Sequence, residues 1–290
     1  PIPLTNKLSF YAFGRYNKND GWLNGERRYN PADSWKINVF EQWYNLNFPE
    51  RQFGQYLPYN TYSDSLNLFT GDGKIVPMNS SEKLSLNAKI FYQLTPSVRA
   101  FYNIFVDKIE SKEYENAYRF APDGIPTTYK NAFNHTFNLT HTLTPNLFYE
   151  ANFRYFGEDR KTYLYESIDD SRYQDIVPSL MGYRFGGTDN KREIINFKNY
   201  IAQFDMTWQI NRMNLTKIGV VAKQFDLSYK DITTTTIPNS YYLPTDRWTT
   251  FDDYNAKSRP PELLVPGRNT LLNNQYTHNP LEFAVYAQDK

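Results

Sequence analysis

Apolar residues recur at every second position over long stretches of the chain. Residues 84–94 set Leu84, Leu86, Ala88, Ile90, Tyr92 and Leu94 against Ser85, Asn87, Lys89, Phe91 and Gln93. After "TPS" at 95–97, residues 98–107 resume with Val98, Ala100, Tyr102, Ile104 and Val106 against Arg99, Phe101, Asn103, Phe105 and Asp107. Strand side chains point alternately to two faces, so this period predicts a hairpin with one continuous apolar face. The plan repeats around "TPN" at 144–146. Phe133, His135, Phe137, Leu139, His141 and Leu143 lead in, and Leu147, Tyr149, Ala151, Phe153 and Tyr155 lead out. A third hairpin turns at "NRMN", residues 211–214, with Ala202, Phe204, Met206, Trp208 and Ile210 on one face and a less regular return strand. Residues 8–17 read as a strand of ambiguous facing.

The expected strands are 8–22, 84–94, 98–114, 131–143, 147–162, 199–210, 215–230 and 282–290. That makes an all-β chain with 1–290 as one β domain. The remaining connections, 23–83, 115–130, 163–198 and 231–281, are long and alternate with the short turns. Structureless loops above about 12–15 residues are uncommon in compact domains. Long loops at one end and short turns at the other are the asymmetry of an outer-membrane barrel. Alternation alone also fits a soluble sandwich. The strand lengths, the aromatic residues toward the ends of the apolar rows, and the mixture of Asn, Lys, Arg, Asp, Glu and Phe on the other face favour a lipid-facing band and a wet lumen.

Composition agrees with strands that are apolar on one face only. Tyr 25, Phe 21 and Trp 5 make the chain 18% aromatic, yet its mean hydropathy is −0.70. So many aromatics exclude a solvated coil. The 32 basic and 31 acidic residues balance to +1, which excludes the basic stripe a nucleic-acid partner needs. There is no Cys, hence no disulfide or thiolate chemistry. No apolar run approaches the roughly 20 residues of a membrane helix. The first residues lack a signal-peptide pattern and the last ones read as a strand, so the chain is expected to be a section of a longer polypeptide.

Candidate chemistry is sparse. His135 and His141 are six apart on a strand, so about 20 Å separates them, whereas ligands of one Zn each lie about 2 Å from it. No metal site, cofactor or catalytic constellation is expected, and the chain is read as non-enzymatic. The Asn-x-Thr triplets at Asn134, Asn138 and Asn214 fall on a strand face or a tight turn and read as chance matches. "GDGK" at 71–74 lacks P-loop spacing. The long loops carry Trp22, Trp35, Trp43, Tyr44, Tyr56, Tyr59, Tyr62, Tyr241, Tyr242 and Trp248, which either stack on ligands or pack the loops together. Candidate ligand-contacting residues are Trp22 and Trp43 on the loops and Arg15, Asn87, Lys89, Arg99, Asp107, Glu150 and Arg154 on the polar strand faces.

Four segments in order, "PIPLTNKLSFYAFGRYNKNDGWLNGERRYNPADS" (1–34), "GDGKIVPMNSSEKLSLNAKIFYQLTPSVRAFYNIFVDK" (71–108), "NHTFNLTHTLTPNLFYEANFRYF" (134–156) and "PLEFAVYAQDK" (280–290), resemble the barrel of TonB-dependent outer-membrane receptors. The group is the Bacteroidetes type with an N-terminal carboxypeptidase-regulatory-like domain. The resemblance implies a 22-stranded plugged barrel, of which this chain is roughly the first third. The plug, the TonB box and the regulatory-like domain lie outside this chain. It also implies a Gram-negative outer-membrane location and uptake driven by TonB. Its partners would be outer-membrane lipid, TonB through the absent N-terminal part, and a surface lipoprotein. No ligand residues carry over, because the loops vary with substrate. The alternatives left open are a passive porin or structural outer-membrane barrel in a larger complex, and a secreted soluble carbohydrate-binding β-protein.

Overall fold

The computed structural model describes residues 2–50, 68–174, 182–236, 242–245, 250–260, 262–268 and 270–289. The chain is all-β, built on one large antiparallel sheet of ten strands. Its long members are β2 (Leu8–Asn19), β5 (Ser81–Thr95), β6 (Val98–Lys112), β7 (Thr127–Thr144), β8 (Leu147–Tyr163), β9 (Lys191–Gln209) and β10 (Leu215–Thr233). Each pairs antiparallel with the next in that order. Strand β1 (Ile2–Thr5) pairs with β2 at one edge. At the other edge β13 (Asn273–His278) and β14 (Leu281–Asp289) follow one another along β10. The interruption falls at Asn279-Pro280. Pro280 has no N–H for a ladder, while its carbonyl accepts from the Phe225 amide at 3.0 Å. Among the described residues the sheet is open, and its two edges do not meet.

Several boundaries differ from those expected. The first long strand stops at Asn19 rather than 22, because Gly21 takes φ 79° and turns the chain away, leaving Trp22 off the strand. Strand β9 starts at Lys191, eight residues before 199. There the pairing with β8 and β10 continues through charged residues that carry no apolar period.

The long connections are not structureless. They hold helix α1 (Asp33–Asn47), helix α2 (Phe251–Lys257), a two-stranded ribbon of β3 (Asn24–Glu26) with β4 (Ile75–Pro77), and a short pair of β11 (Thr235–Thr236) with β12 (Leu263–Leu264). Together they form a cap at one end of the sheet. Asp33 starts α1, and its buried carboxylate accepts from the Asn30 amide at 2.8 Å and the Thr70 hydroxyl at 2.7 Å. Thr250 caps α2, with its hydroxyl oxygen accepting from the Asp253 amide.

Two apolar clusters make the cap core. Tyr29, Ile37, Met78, Tyr118, Ala121 and Ile125 form one; Val39, Phe40, Tyr44, Leu68, Phe251 and Tyr254 form the other. Backbone bonds stitch three connections together: Tyr29 to Phe120 at 2.9 Å, Arg184 to Ala117 at 2.6 Å and Asp189 to Gly124 at 2.9 Å. The fourth joins through Phe40 and Phe251, whose rings meet edge-on at 5.3 Å.

The Tyr118 hydroxyl is buried in this core with no hydrogen-bond partner, and burial pushes its pKa up, with Asp189 adding to the effect. An unmet buried hydroxyl costs about 1–3 kcal/mol. Tyr118→Phe is therefore expected to leave thermal stability unchanged or raise it by about 1 kcal/mol. A clear fall in the cap's melting temperature would show that the hydroxyl has a partner.

Candidate functional site

The ladder registers place every strand side chain on one of two faces. Arg15 lies opposite Ser85, which lies opposite Asp107, so Arg15 joins the face of Asn87 and Lys89 and the facing of β2 is settled. Arg99, Thr140 and Glu150 form one row on that face, and Asn103, Thr136 and Arg154 form another. All seven strand candidates therefore share a single face. They do not converge on one pocket. Four strand steps separate β2 from β8, about 19 Å at the usual spacing. The arrangement is a lining rather than a cluster.

Part of this polar face is internally neutralised. Lys83 reaches Asp107 at 2.9 Å, Lys130 reaches Glu158 at 2.9 Å, and Arg160 reaches Glu193 at 3.4 Å. Lys191, Lys217 and Lys223 pair with Asp231, Asp205 and Glu282. Asn87 donates to Asn103 at 3.1 Å and Asn138 to Asn152 at 2.6 Å. Lys89 sits over the rings of Phe91 and Phe101 at 4.6 and 4.4 Å. Near the short-turn end, the buried Asp205 accepts from Gln203 at 2.8 Å and from the Tyr286 hydroxyl. Tyr286 reaches across β10 only because Gly219 lies beneath it; a Cβ there would stand 2.3 Å from its ring. Sequence reasoning missed these ion-pair partners. The hairpin register around 95–97 does place Lys83 diagonal to Asp107, so that pair was within reach.

The opposite face is apolar only over part of its length. The long strands run 15–19 residues from β5 to β10. From the short turns upward the face is Leu, Ile, Val, Ala, Phe, Tyr, Met and Trp, with His135 and His141 held by Tyr102 at 2.5 Å and Tyr149 at 3.0 Å. The unbroken apolar row ends at Tyr16, Leu84, Val106, Phe133, Tyr155, Tyr200 and Ala222. Beyond them stand Lys18, Glu82, Lys108, Asn131, Gly157, Lys198 and Gln224. Farther up, Tyr129, Tyr163, Ile194 and Ile232 stand singly among polar residues on the same face. Gly157 is roofed by the Phe133 ring, which a Cβ would meet at 2.5 Å.

That border is not level with the ladder. Tyr16 faces Leu84, but Leu84 faces Lys108; Phe133 faces Gly157, and Tyr200 faces Gln224. Each step to the next strand lowers the border by one residue on average. At about 3.4 Å per residue and about 4.8 Å between strands, the strands cross the band at about 35° from its normal. Nothing among the described residues covers this face. Leu86, Ile90, Phe137, Phe153, Phe204 and Phe283 each expose 42–69% of their surface.

The two loop candidates part company. Trp43 packs in the cap at 5.7 Å from Phe40 and 5.9 Å from Phe251, and Trp35 and Tyr44 join the same cluster. Trp22 is 79% exposed. Tyr56, Tyr59, Tyr62, Tyr241 and Trp248 lie outside the described residues. Among the described residues no group of three or more His, Asp or Glu side chains could hold a metal ion.

Ion pairs tie the ribbon to the cap. Arg27 grips Asp123 through two nitrogens at 2.5 and 3.2 Å and reaches Asp72 at 3.3 Å. Hydrogen bonds from Lys74, with the charges of Lys74 and Arg27, hold the Asp72 carboxyl down at about 2. A depressed carboxylate contributes stability above its unfolded pKa and loses it as pH falls through the folded one. The links of Asp72 to Lys74 and Arg27 at the foot of the ribbon are expected to hold at pH 5 and to be lost between about pH 4 and pH 2. Trp22 emission through an acid titration reads this; a transition centred above pH 5 would contradict it.

No family model, curated protein or solved structure matches this chain.

Proposed function

We propose that this chain is part of a transmembrane β-barrel, an outer-membrane TonB-dependent receptor that takes up a ligand through its polar interior. The observation that carries the membrane reading is the uncovered apolar band with its slanted border. A soluble sandwich buries its apolar face under a second layer along the whole strand. A bilayer instead imposes a band of fixed height, and strands tilted about 35–45° cross it obliquely. A span needs only about 9–11 residues. The strands here are longer, and their surplus beyond the band is mostly polar, with Tyr129, Tyr163, Ile194 and Ile232 standing singly in it, as a segment above the membrane would be.

The polar face then lines an aqueous interior, where Arg15, Asn87, Lys89, Arg99, Asp107, Glu150 and Arg154 meet passing solute. The cap closes the long-loop end and presents Trp22 outward for capture. Coupling to TonB rests on the family resemblance of the four segments described above.

The chain has no Cys, so single cysteines can be introduced cleanly at positions 86 to 90. Nitroxide labels on the membrane-inserted protein should alternate. Leu86→Cys, Ala88→Cys and Ile90→Cys should be open to lipid-dissolved oxygen, and Asn87→Cys and Lys89→Cys to a water-soluble nickel chelate. Uniform access to the chelate would overturn the membrane reading. TonB dependence is read separately, as loss of ligand uptake in cells lacking TonB.

A further inference from the structure

We propose that the outward charges just above the apolar band hold the headgroup of a phosphorylated glycolipid. The inference rests on the membrane reading and adds a specific lipid partner to it. Its starting point is a contrast between the two faces. On the polar face Lys83, Lys130, Lys191, Lys217 and Lys223 each lie within 3.5 Å of a carboxylate oxygen, and Lys89 rests on two aromatic rings. On the outward face Lys18, Lys108, Lys161 and Lys198 make no ion pair among the described residues.

Carboxylates are within reach, so the contrast is not a matter of supply. Glu82 is the ladder neighbour of Lys18, and Asp226 that of Lys198. Glu82 lies against Tyr16 and makes no ion pair among the described residues. These lysines are exposed, and three of them occupy the first outward position above the band. That is the level of lipid phosphates, where a juxtamembrane cation is drawn to an anionic leaflet. The Tyr16 and Tyr200 rings, one outward position below Lys18 and Lys198, sit where interfacial aromatics belong.

A cleft of about 250 Å³ opens at the same level, at the upper ends of β2, β5 and β6. Its charged lining is Lys18, Lys112, Asp20, Glu82 and Glu110. Lys112 makes no ion pair among the described residues either. The two ammonium groups suit a phosphate; the three carboxylates suit the hydroxyls of a sugar, which donate to carboxylate oxygens. Carboxylates alone would repel a bare phosphate, so a headgroup carrying both sugar and phosphate fits the lining better than a simple phospholipid. The volume suits one headgroup unit rather than a drug-sized ligand.

The test uses the protein extracted from its native membrane in mild detergent. Bound lipid is counted by native mass spectrometry, then titrated with monophosphoryl lipid A in phosphatidylcholine. Combined Lys18→Gln, Lys108→Gln, Lys112→Gln and Lys198→Gln should weaken lipid A binding by about fivefold for each lysine removed. The same four positions changed to Arg should retain it, which guards against misfolding. Lys83→Gln with Lys130→Gln, on the polar face, should leave it unchanged.

Unaltered lipid A binding in the quadruple Gln variant overturns the proposal. So does complete competition by millimolar inorganic phosphate, which would mark a free-anion site. A protein found in the soluble fraction overturns the membrane reading as well. One that is membrane-inserted but indifferent to these lysines sinks only the lipid site.

Discussion

Phe40→Ala is expected to destabilise the cap by about 3–5 kcal/mol, the cost of deleting a fully buried aromatic ring. Phe40 is 2% exposed and touches the rings of Trp43, Tyr44 and Phe251. Its loss opens a cavity where α1 meets α2, the contact that brings the fourth connection into the cap. The effect should stay local, because the sheet is held by its own ladder and shares none of that cluster. Limited proteolysis should therefore cut within the cap at low protease, while far-ultraviolet circular dichroism of the strands stays as in the natural protein. Unchanged protease resistance would mean that the α1–α2 packing is wrong.

Ala88→Arg should cost about 2–4 kcal/mol in a bilayer, the penalty for Arg near the midplane of a lipid-facing strand. Ala88 lies midway along the β5 row from Leu84 to Leu94, and its neighbours across the ladder are Ala12 and Ile104. The adjacent Lys89→Ala removes a cation resting on Phe91 and Phe101, worth about 0.5–2 kcal/mol. Urea titration of both variants in vesicles separates them. Equal midpoints, or a larger loss at Lys89, would reverse the facing of the whole sheet, since the registers tie every strand to β5.

The hairpin strands were legible over the stretches where one side is apolar. Leu84 to Leu94 and Phe133 to Leu143 announce both the strand and its facing. Legibility stopped where that side turned polar. Residues 191–198 extend β9 by ladder pairing and ion pairs, and Lys191, Arg192 and Glu193 give no period to detect. Strand β13, "NNQYTH", is held by β10 and carries no pattern of its own. Helix α1 was hidden differently. Ile37, Phe40 and Tyr44 have helical spacing behind Asp33, but Trp35, Ile37 and Val39 alternate as a strand would.

The polar lining followed from period 2 once the hairpins were found. Which charges pair within it, and which outward lysines stay unpaired, depended on neighbours brought together by the fold. Trp43 illustrates the limit for loops: composition makes it a stacking candidate, and only the fold shows it spent on packing. The slanted border was equally invisible, since it emerges only when registers from seven strands are compared.

The contact between Tyr286 and Asp205 carries a consequence for assembly. These residues are 81 apart in sequence, on strands that do not touch, and they meet over Gly219 of the strand between. A strand can slip by two residues and keep the same face inward. Here such a slip would put Ala284 or Gln288 over Gly219, leaving a hollow and taking the tyrosine hydroxyl from a buried carboxylate. The clasp thus acts as a register lock, favouring one alignment of β14 on β10 over its two-residue slips.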